Sequence, residues 1–124
     1  TVVNGLAIAL AGLPVALAAI GLMVAHAAIH VAVPSVSGQA VLTMPIFAPL
    51  AELLHMTRQV AVLAYQYGAG LCELVTPTNG ALMAVLAAAG IRYDEWIRAA
   101  CRPLALVAFT GAASVVLAIP VNLG

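Results

Sequence analysis

Charge is what this chain has least of. It contains no lysine, and no Asp, Glu, Lys or Arg precedes Glu52. Charged residues make up 6% of the 124 positions against a hydrophobic share of 65%, where a soluble domain carries about 25% charge. Such a chain cannot solvate its own surface, so it reads as an all-α integral membrane protein with the lipid bilayer as its surroundings. Zero net charge and the lack of any basic stripe leave nucleic-acid binding without an electrostatic basis. The two cysteines, Cys72 and Cys101, fit neither a disulfide framework nor a zinc cluster. Each reads as an unpaired small hydrophobe. The N-terminal stretch lacks the charged n-region and the cleavage pattern of a signal peptide.

What stands out against this apolar background is a pair of short polar islands. They are Pro34-Ser35-Val36-Ser37-Gly38-Gln39 and Thr76-Pro77-Thr78-Asn79-Gly80. Lipid cannot satisfy bare backbone groups, so non-helical backbone at membrane depth survives only inside protein or beside a cavity. Two such breaks rich in hydroxyls and amides suit a solute-binding site in a transporter. A proline kink whose hydroxyls repair backbone bonds is the plainer alternative for either island.

The spacing of breaks and charges divides the chain into five parts. Residues 1–13 read as the end of a preceding helix, because Pro14 suits the first turn of a new one. Residues 14–56 form a helical hairpin with its tip at 34–39. The run after the tip, Ala40–His55, would reach only about 24 Å, short of a roughly 30 Å hydrocarbon core. A re-entrant hairpin is therefore expected over two full crossings, with Pro45 and Pro49 keeping its second arm irregular. Residues 57–90 form a discontinuous transmembrane helix broken at 76–80, with Thr57 placed to cap its start. Residue Thr76 precedes a proline and is pushed from α geometry. Residues 91–103 form an amphipathic interfacial helix, with Tyr93 and Trp96 at headgroup depth and Asp94 able to pair with Arg98. Residues 104–124 form the final crossing. Three arginines near residues 92–102 against Arg58 alone place that loop on the cytoplasmic side. The turn at 55–58, the mouth of the hairpin and the C-terminus then lie outside.

Chemistry concentrates at the islands and beside them. Ser35, Ser37 and Gln39 offer oxygens and an amide, and Gly38 allows close approach of a ligand. The second island supplies Thr76, Thr78 and Asn79, and the half-helix starting near Ala81 aims its N-terminal N–H groups at the same cavity. A carboxylate substrate would be held there and a cation by freed carbonyls. Glu73 is the one carboxylate within an apolar run. Intramembrane carboxyls are by default functional, so it is a candidate proton carrier, or a cation ligand when ionised. A protonated Glu bonded to a neighbouring helix is the alternative. His26 and His30 share one helix face, but no third ligand nearby completes a metal site. They read as neutral histidines bonded inside the bundle, with a proton relay as the other option. Glu52 and Arg58 flank the outer turn as solvated groups. Ser35-Val36-Ser37-Gly38 partly matches the G-x-S-G of intramembrane serine proteases. Its first residue is Ser rather than Gly, and no histidine lies on a later crossing, so no enzyme is expected.

Longer stretches carry a more specific signal. Pro34-Ser35-Val36-Ser37-Gly38-Gln39-Ala40, Leu42-Thr43-Met44-Pro45, Arg58 to Gln66 and Thr76-Pro77-Thr78-Asn79-Gly80 together resemble the C4-dicarboxylate anaerobic carrier-like (YfcC-type) membrane proteins. The resemblance spans about Pro14 to Leu104. It implies the ion transporter superfamily fold, with two inverted repeats that each hold a re-entrant hairpin and a broken helix. This chain would be the C-terminal repeat of a carrier in the bacterial cytoplasmic (inner) membrane, working as a homodimer. The resemblance passes the substrate and ion roles to Ser35, Ser37, Gly38, Thr78, Asn79 and Gly80; Gln39 and Thr76 of the same islands join them as candidate binding residues, and Ser37, Thr78 and Asn79 are the candidate Na⁺ ligands. Similar sequences tend to have Gly-Asp-Gly where this chain has Gly68-Ala69-Gly70, and an uncharged residue where it has Glu73. Positions 69 and 73 share a helix face, so Glu73 is expected to take over as the coupling carboxylate.

These readings point to secondary transport of a small carboxylate-bearing metabolite, a C4-dicarboxylate or an amino acid. Coupling is to Na⁺ or H⁺, with no cofactor. No arginine near the islands could clamp a second carboxylate, and Glu73 could favour a cationic amino acid. A handful of thin segments leaves little room for an enclosed pathway, so part of a larger carrier is expected. The competing reading is a non-transporting membrane subunit or an inert truncated fragment.

Overall fold

A computed structural model describes residues 14–121, all of whose regular structure is helical. The five helices are α1 (Val15–Ala32), α2 (Val36–Leu53), α3 (Arg58–Glu73), α4 (Gly80–Ala89) and α5 (Tyr93–Val121). The expected helix end at 1–13 and the last three residues of the 104–124 segment lie outside the described residues. By length and composition α1, α2 and α5 could each cross a membrane.

Helix α3 is the hub, packing on α1, α2 and α5. Small side chains make this possible: Ala18, Ala19, Ala51, Ala61, Ala64 and Ala118 are all buried in one core with Leu22, Leu50, Val60 and Val115. In lipid, helices associate through close van der Waals contact rather than through a hydrophobic drive, and small residues permit it. The closest approach is at Gly68, where an added Cβ would lie 2.3 Å from the Met23 carbonyl oxygen of α1. Gly111 on α5 is a second such point, because the Tyr67 ring lies across it. The outside of the bundle is apolar, with Val41 and Phe109 each 76% exposed. An apolar exterior is what lipid or neighbouring membrane helices would cover.

The structure moves two boundaries. Helix α2 begins at Val36 rather than Ala40, so Val36–Gln39 form its first turn and only Val33–Ser35 link it to α1. The cause is local. Ser35 is the N-cap, its Oγ accepting from Gly38 N–H at 3.2 Å and its carbonyl from Gln39 N–H at 2.8 Å. With 18 residues, α2 reaches about 27 Å, which nearly removes the length shortfall that favoured a re-entrant hairpin. Pro45 and Pro49 lie inside this helix without ending it. Both are exposed, so the carbonyls they leave unbonded do not face the core.

The second change concerns the boundary between 91–103 and 104–124: Tyr93–Val121 is one continuous 29-residue helix, α5, running through Pro103. Pro103 is exposed, and the missing N–H costs one bond on the outer face of a helix held elsewhere by packing. Asp94 and Glu95 occupy its first turn, where negative charge complements the helix dipole. Asp94 pairs with Arg98 at 3.1 Å and with Arg92 at 3.1 Å.

Two helices end on left-handed residues that turn the chain sharply. Gly90 (φ 69) follows α4, with Ile91 N–H bonding Leu86 O. His55 (φ 59) follows α2, with Met56 N–H bonding Ala51 O. Both use the backbone pattern in which the residue after the left-handed one bonds back into the last turn. Thr57 stands at the N-cap position of α3 but makes no capping bond with its side chain. The turn is bridged instead by Arg58 and Glu52, an exposed ion pair.

Candidate functional site

The polar groups of the bundle converge in one place, and Gln39 is its centre. Gln39 lies in the first turn of α2 and is fully buried, as are His26 and His30 one turn apart on α1. The Gln39 amide nitrogen donates to the His26 carbonyl at 2.9 Å. A carbonyl only accepts, so this bond settles the orientation of the amide. The Gln39 Oε1 then faces His30 Nδ1 at 2.9 Å, and that ring nitrogen must carry the proton. Nε2 of Gln39 also lies 3.4 Å from His26 Nδ1, which makes that nitrogen the acceptor. The His26 ring is held between Phe47 and Tyr65, with centroids 4.5 and 5.3 Å away. Thr43, one turn further along α2, is buried and donates to the Gln39 carbonyl at 2.8 Å. Tyr65 of α3 donates to the Val36 carbonyl, tying the start of α2 to the hub.

The far side of His30 meets the second break. Its Nε2 lies 3.3 Å from Glu73 Oε2, near enough to pair although not aligned as a hydrogen bond, and neither atom has another partner. Glu73 Oε1 accepts from Asn79 Nδ2 at 3.1 Å. A continuous line therefore runs from His26 through Gln39, His30 and Glu73 to Asn79. Access differs along it: His30 is sealed, while the Glu73 side chain is 32% exposed.

The break between α3 and α4 is closed by side chains. Asn79 caps α4, its Oδ1 accepting from Ala81 N–H at 3.0 Å and Leu82 N–H at 3.3 Å. The last carbonyls of α3 are met in turn: Glu73 O by Asn79 Nδ2 at 2.9 Å, Leu74 O by Trp96 Nε1 at 2.9 Å, and Val75 O by Tyr93. Helix ends leave such carbonyls unpaired, and buried ones need partners. Thr78 reaches the Val31 carbonyl near the end of α1 at 3.3 Å. Beside the break lies a groove of about 360 Å³ lined by Glu73, Asn79, Leu74, Leu82, Val85 and Trp96.

Comparison with known proteins gives this arrangement a family. The family model for the C4-dicarboxylate anaerobic carrier matches residues 1–120. The chain belongs to the C4-dicarboxylate anaerobic carrier family. A protein of Escherichia coli (strain K12) is 39% identical over 107 residues, which is 86% of this chain and 21% of that protein. Its name, basic amino acid antiporter YfcC, is a provisional one. An uncharacterized protein of Haemophilus influenzae (strain ATCC 51907 / DSM 11121 / KW20 / Rd) is 41% identical over 66 residues, 53% of this chain and 13% of that protein. The chain thus spans about a fifth of the length of the Escherichia coli relative. No solved structure matches it significantly. The chain thus combines membership of a carrier family with three helices long and apolar enough to cross a membrane.

Within this carrier-family chain, the residues singled out from the sequence divide into two groups. Gln39, Glu73 and Asn79 meet in the buried line, and Thr78 ties its island to α1. Ser35 is spent on capping α2, Ser37, Thr78 and Gly80 are exposed, and Thr76 is buried in the break. Ser37, Thr78 and Asn79 are not joined to one another by any hydrogen bond, and Asn79 Oδ1 already serves two backbone donors. Sequence reasoning weighed His26 and His30 as an incomplete metal site, a bundle pair or a relay, and it placed Tyr93 and Trp96 at the headgroups. Their actual partners, Gln39, Glu73 and the carbonyls of 74 and 75, come from other helices. Asn79 as an N-cap was legible, since Asn before a helix-starting glycine is a standard cap.

Proposed function

We propose that this chain is the C-terminal part of a secondary active transporter that moves a small carboxylate-bearing metabolite, coupled to Na⁺ or H⁺. The observation that carries this reading is the buried line from His26 to Asn79, which ties the first polar break to the second. In this reading α1 and α2 form the re-entrant hairpin, and α3 and α4 form the two halves of a broken transmembrane helix. Transporters place their sites at such discontinuities because helix ends offer unpaired backbone groups. The complete carrier would hold a preceding inverted repeat, sit in the bacterial cytoplasmic membrane and work as a homodimer. Ser35, Ser37, Gly38, Gln39, Thr76, Thr78, Asn79 and Gly80 would border the substrate and ion path, and Glu73 would be the coupling carboxylate. Ala69 is fully buried one turn before Glu73, which suits the idea that Glu73 has replaced a carboxylate lost from position 69.

Among carboxylate-bearing substrates an amino acid with a cationic side chain fits better than a dicarboxylate. Glu73 and no arginine borders the groove beside the break, and the provisional name of the Escherichia coli relative points the same way. The test is uptake of labelled arginine and succinate by the full-length carrier in proteoliposomes, under an imposed Na⁺ or H⁺ gradient. Gradient-driven uptake of either solute, lost in Glu73→Gln, is expected. Absence of flux for every solute tried would favour a non-transporting subunit. Coupled uptake unchanged in Glu73→Gln across pH would remove Glu73 from the coupling role.

A further inference from the structure

The strongest unassigned feature is the bare approach of His30 Nε2 to Glu73 Oε2. The Gln39 amide requires the His30 proton on Nδ1, as argued above from its bond to the His26 carbonyl. Nε2 of a neutral His30 therefore presents a lone pair to a carboxyl oxygen 3.3 Å away. Two lone pairs facing each other in a low-dielectric site repel. One positive charge must lie between or beside them. It can be a proton, carried by either partner, or it can be a cation seated on the carboxylate.

The surroundings decide which cation. The carbonyls of Glu73, Leu74 and Val75 and the Asn79 side-chain oxygen already accept hydrogen bonds. A sodium ion would have to share each of these oxygens with a bond already made, and Asn79 Oδ1 has both lone pairs engaged. Glu73 and Asn79 instead line a groove together with Leu74, Leu82, Val85 and Trp96. A carboxylate lining an apolar, aromatic-edged groove suits an ammonium or guanidinium group on an aliphatic stem.

We propose that a proton and the cationic group of an organic substrate are alternative occupants of the His30–Glu73 pair, so that binding one releases the other. This deepens the transport reading above and rests on it. When the ammonium or guanidinium docks on the Glu73 carboxylate, the proton held by the pair leaves to water, and neutral His30 keeps its Nδ1 proton on Gln39. One positive charge arrives and one departs, so the site stays electrically constant through the exchange. His30 acts as a positioning residue, sealed behind Glu73; Glu73 Oε2 is buried against it, and the 32%-exposed Glu73 side chain lines the groove by which a ligand approaches. Of the other titratable groups, His26 on α1 meets the pair through Gln39 and Tyr65 on α3 lies within electrostatic reach of Glu73, while Cys72 on α3 and Tyr93 on α5 line a separate cavity with Ile97 and Cys101. Helix α2 offers the Gln39 amide and Thr43 hydroxyl at this level, and α4 has no titratable side chain. The charges at the start of α5 are engaged with one another, Asp94 with Arg92 and Arg98, and Glu95 with the Arg92 N–H.

The experiment is arginine binding to the purified full-length carrier in weakly buffered detergent solution, followed by proton release and by affinity against pH. Release of about one proton per arginine is expected, with affinity falling about tenfold per pH unit on the acid side of the transition. Glu73→Gln should abolish the release, and Glu73→Asp, which keeps a carboxyl, should retain it with weaker binding. His30→Gln should flatten the pH profile more than it lowers affinity at high pH. Both Glu73 variants should elute as wild type in gel filtration. Arginine binding without proton release, or release that survives in a well-folded Glu73→Gln, overturns the proposal. Transport of succinate with no arginine binding overturns it while leaving the transport reading in place, whereas no flux of any solute removes both.

Discussion

His30 and Glu73 belong to different helices and meet across both polar breaks, Nε2 to Oε2 at 3.3 Å. His30 sits in the last turn of α1, just before the link to α2, and Glu73 is the last residue of α3. Each is held from behind by an amide, His30 by Gln39 and Glu73 by Asn79. The contact therefore reports on the geometry of both breaks at once.

Gln39 is expected to be the most sensitive position of the network. Gln39→Leu leaves His30 Nδ1 and His26 Nδ1 buried without partners. Each orphaned group costs about 1–3 kcal/mol, reduced where alternative partners exist in the membrane. A clear drop in the thermal midpoint of the detergent-solubilised full-length carrier is expected. An unchanged midpoint would mean that the buried bonds are not formed.

Asn79 does two jobs that substitutions can separate. Asn79→Ala removes the α4 cap, worth about 1 kcal/mol, and the amide bond to Glu73. Asn79→Asp keeps a capping oxygen but sets a second carboxylate beside the first, and like charges disfavour joint ionisation. Its stability should approach wild type in acid, where one carboxyl holds a proton, and fall as pH rises. Thermal midpoints of the two variants measured across pH would show this; parallel curves would contradict it.

The aromatic pair at the start of α5 is expected to hold the broken helix closed. Trp96→Phe and Tyr93→Phe each remove the donor to one carbonyl, Leu74 O or Val75 O, while keeping most of the ring. Each should cost about 1 kcal/mol and speed hydrogen exchange at residues 74–79 above the rest of α3. Exchange unchanged there would place the closure of the break elsewhere.

Two nearby glycines on α3 should respond oppositely to alanine. At Gly68 the new Cβ would strike the α1 backbone at Met23 O, so Gly68→Ala should force the helices apart at a cost of about 1–3 kcal/mol. At Gly70 nothing lies within 4 Å of the added atom, so Gly70→Ala should be neutral or stabilising by up to about 1 kcal/mol. Thermal midpoints of the two variants provide the comparison, and equal effects would refute the close approach of α1 and α3.

Much of this site could be named from residue types, but its wiring could not. Glu73, Gln39 and Asn79 drew attention because polar groups are costly in an apolar chain. That Gln39 holds two histidines, and that one of them reaches Glu73, depends on contacts across 9, 13 and 43 positions in the chain. No local period encodes such separations. Helix ends were misjudged for a related reason. Ser35 and Gly38 looked like parts of a loop, yet together they make a cap that starts α2 four residues early. Pro103 looked like a boundary, yet it lies inside α5 because one lost bond on an exposed face does not outweigh the packing of the helix.

Composition settled the class of this protein, because six charged residues in every hundred cannot clothe a soluble surface and only helices or closed barrels satisfy backbone groups in lipid. Proline, glycine and amide clusters located the two breaks, because local sterics and capping act over three or four residues. Tertiary structure alone decided that the breaks are joined, and through which atoms. That outcome rests on Gly68 letting α1 and α3 touch backbone to backbone. Their contact carries His30 to Glu73, and it leaves one positive charge to be shared there.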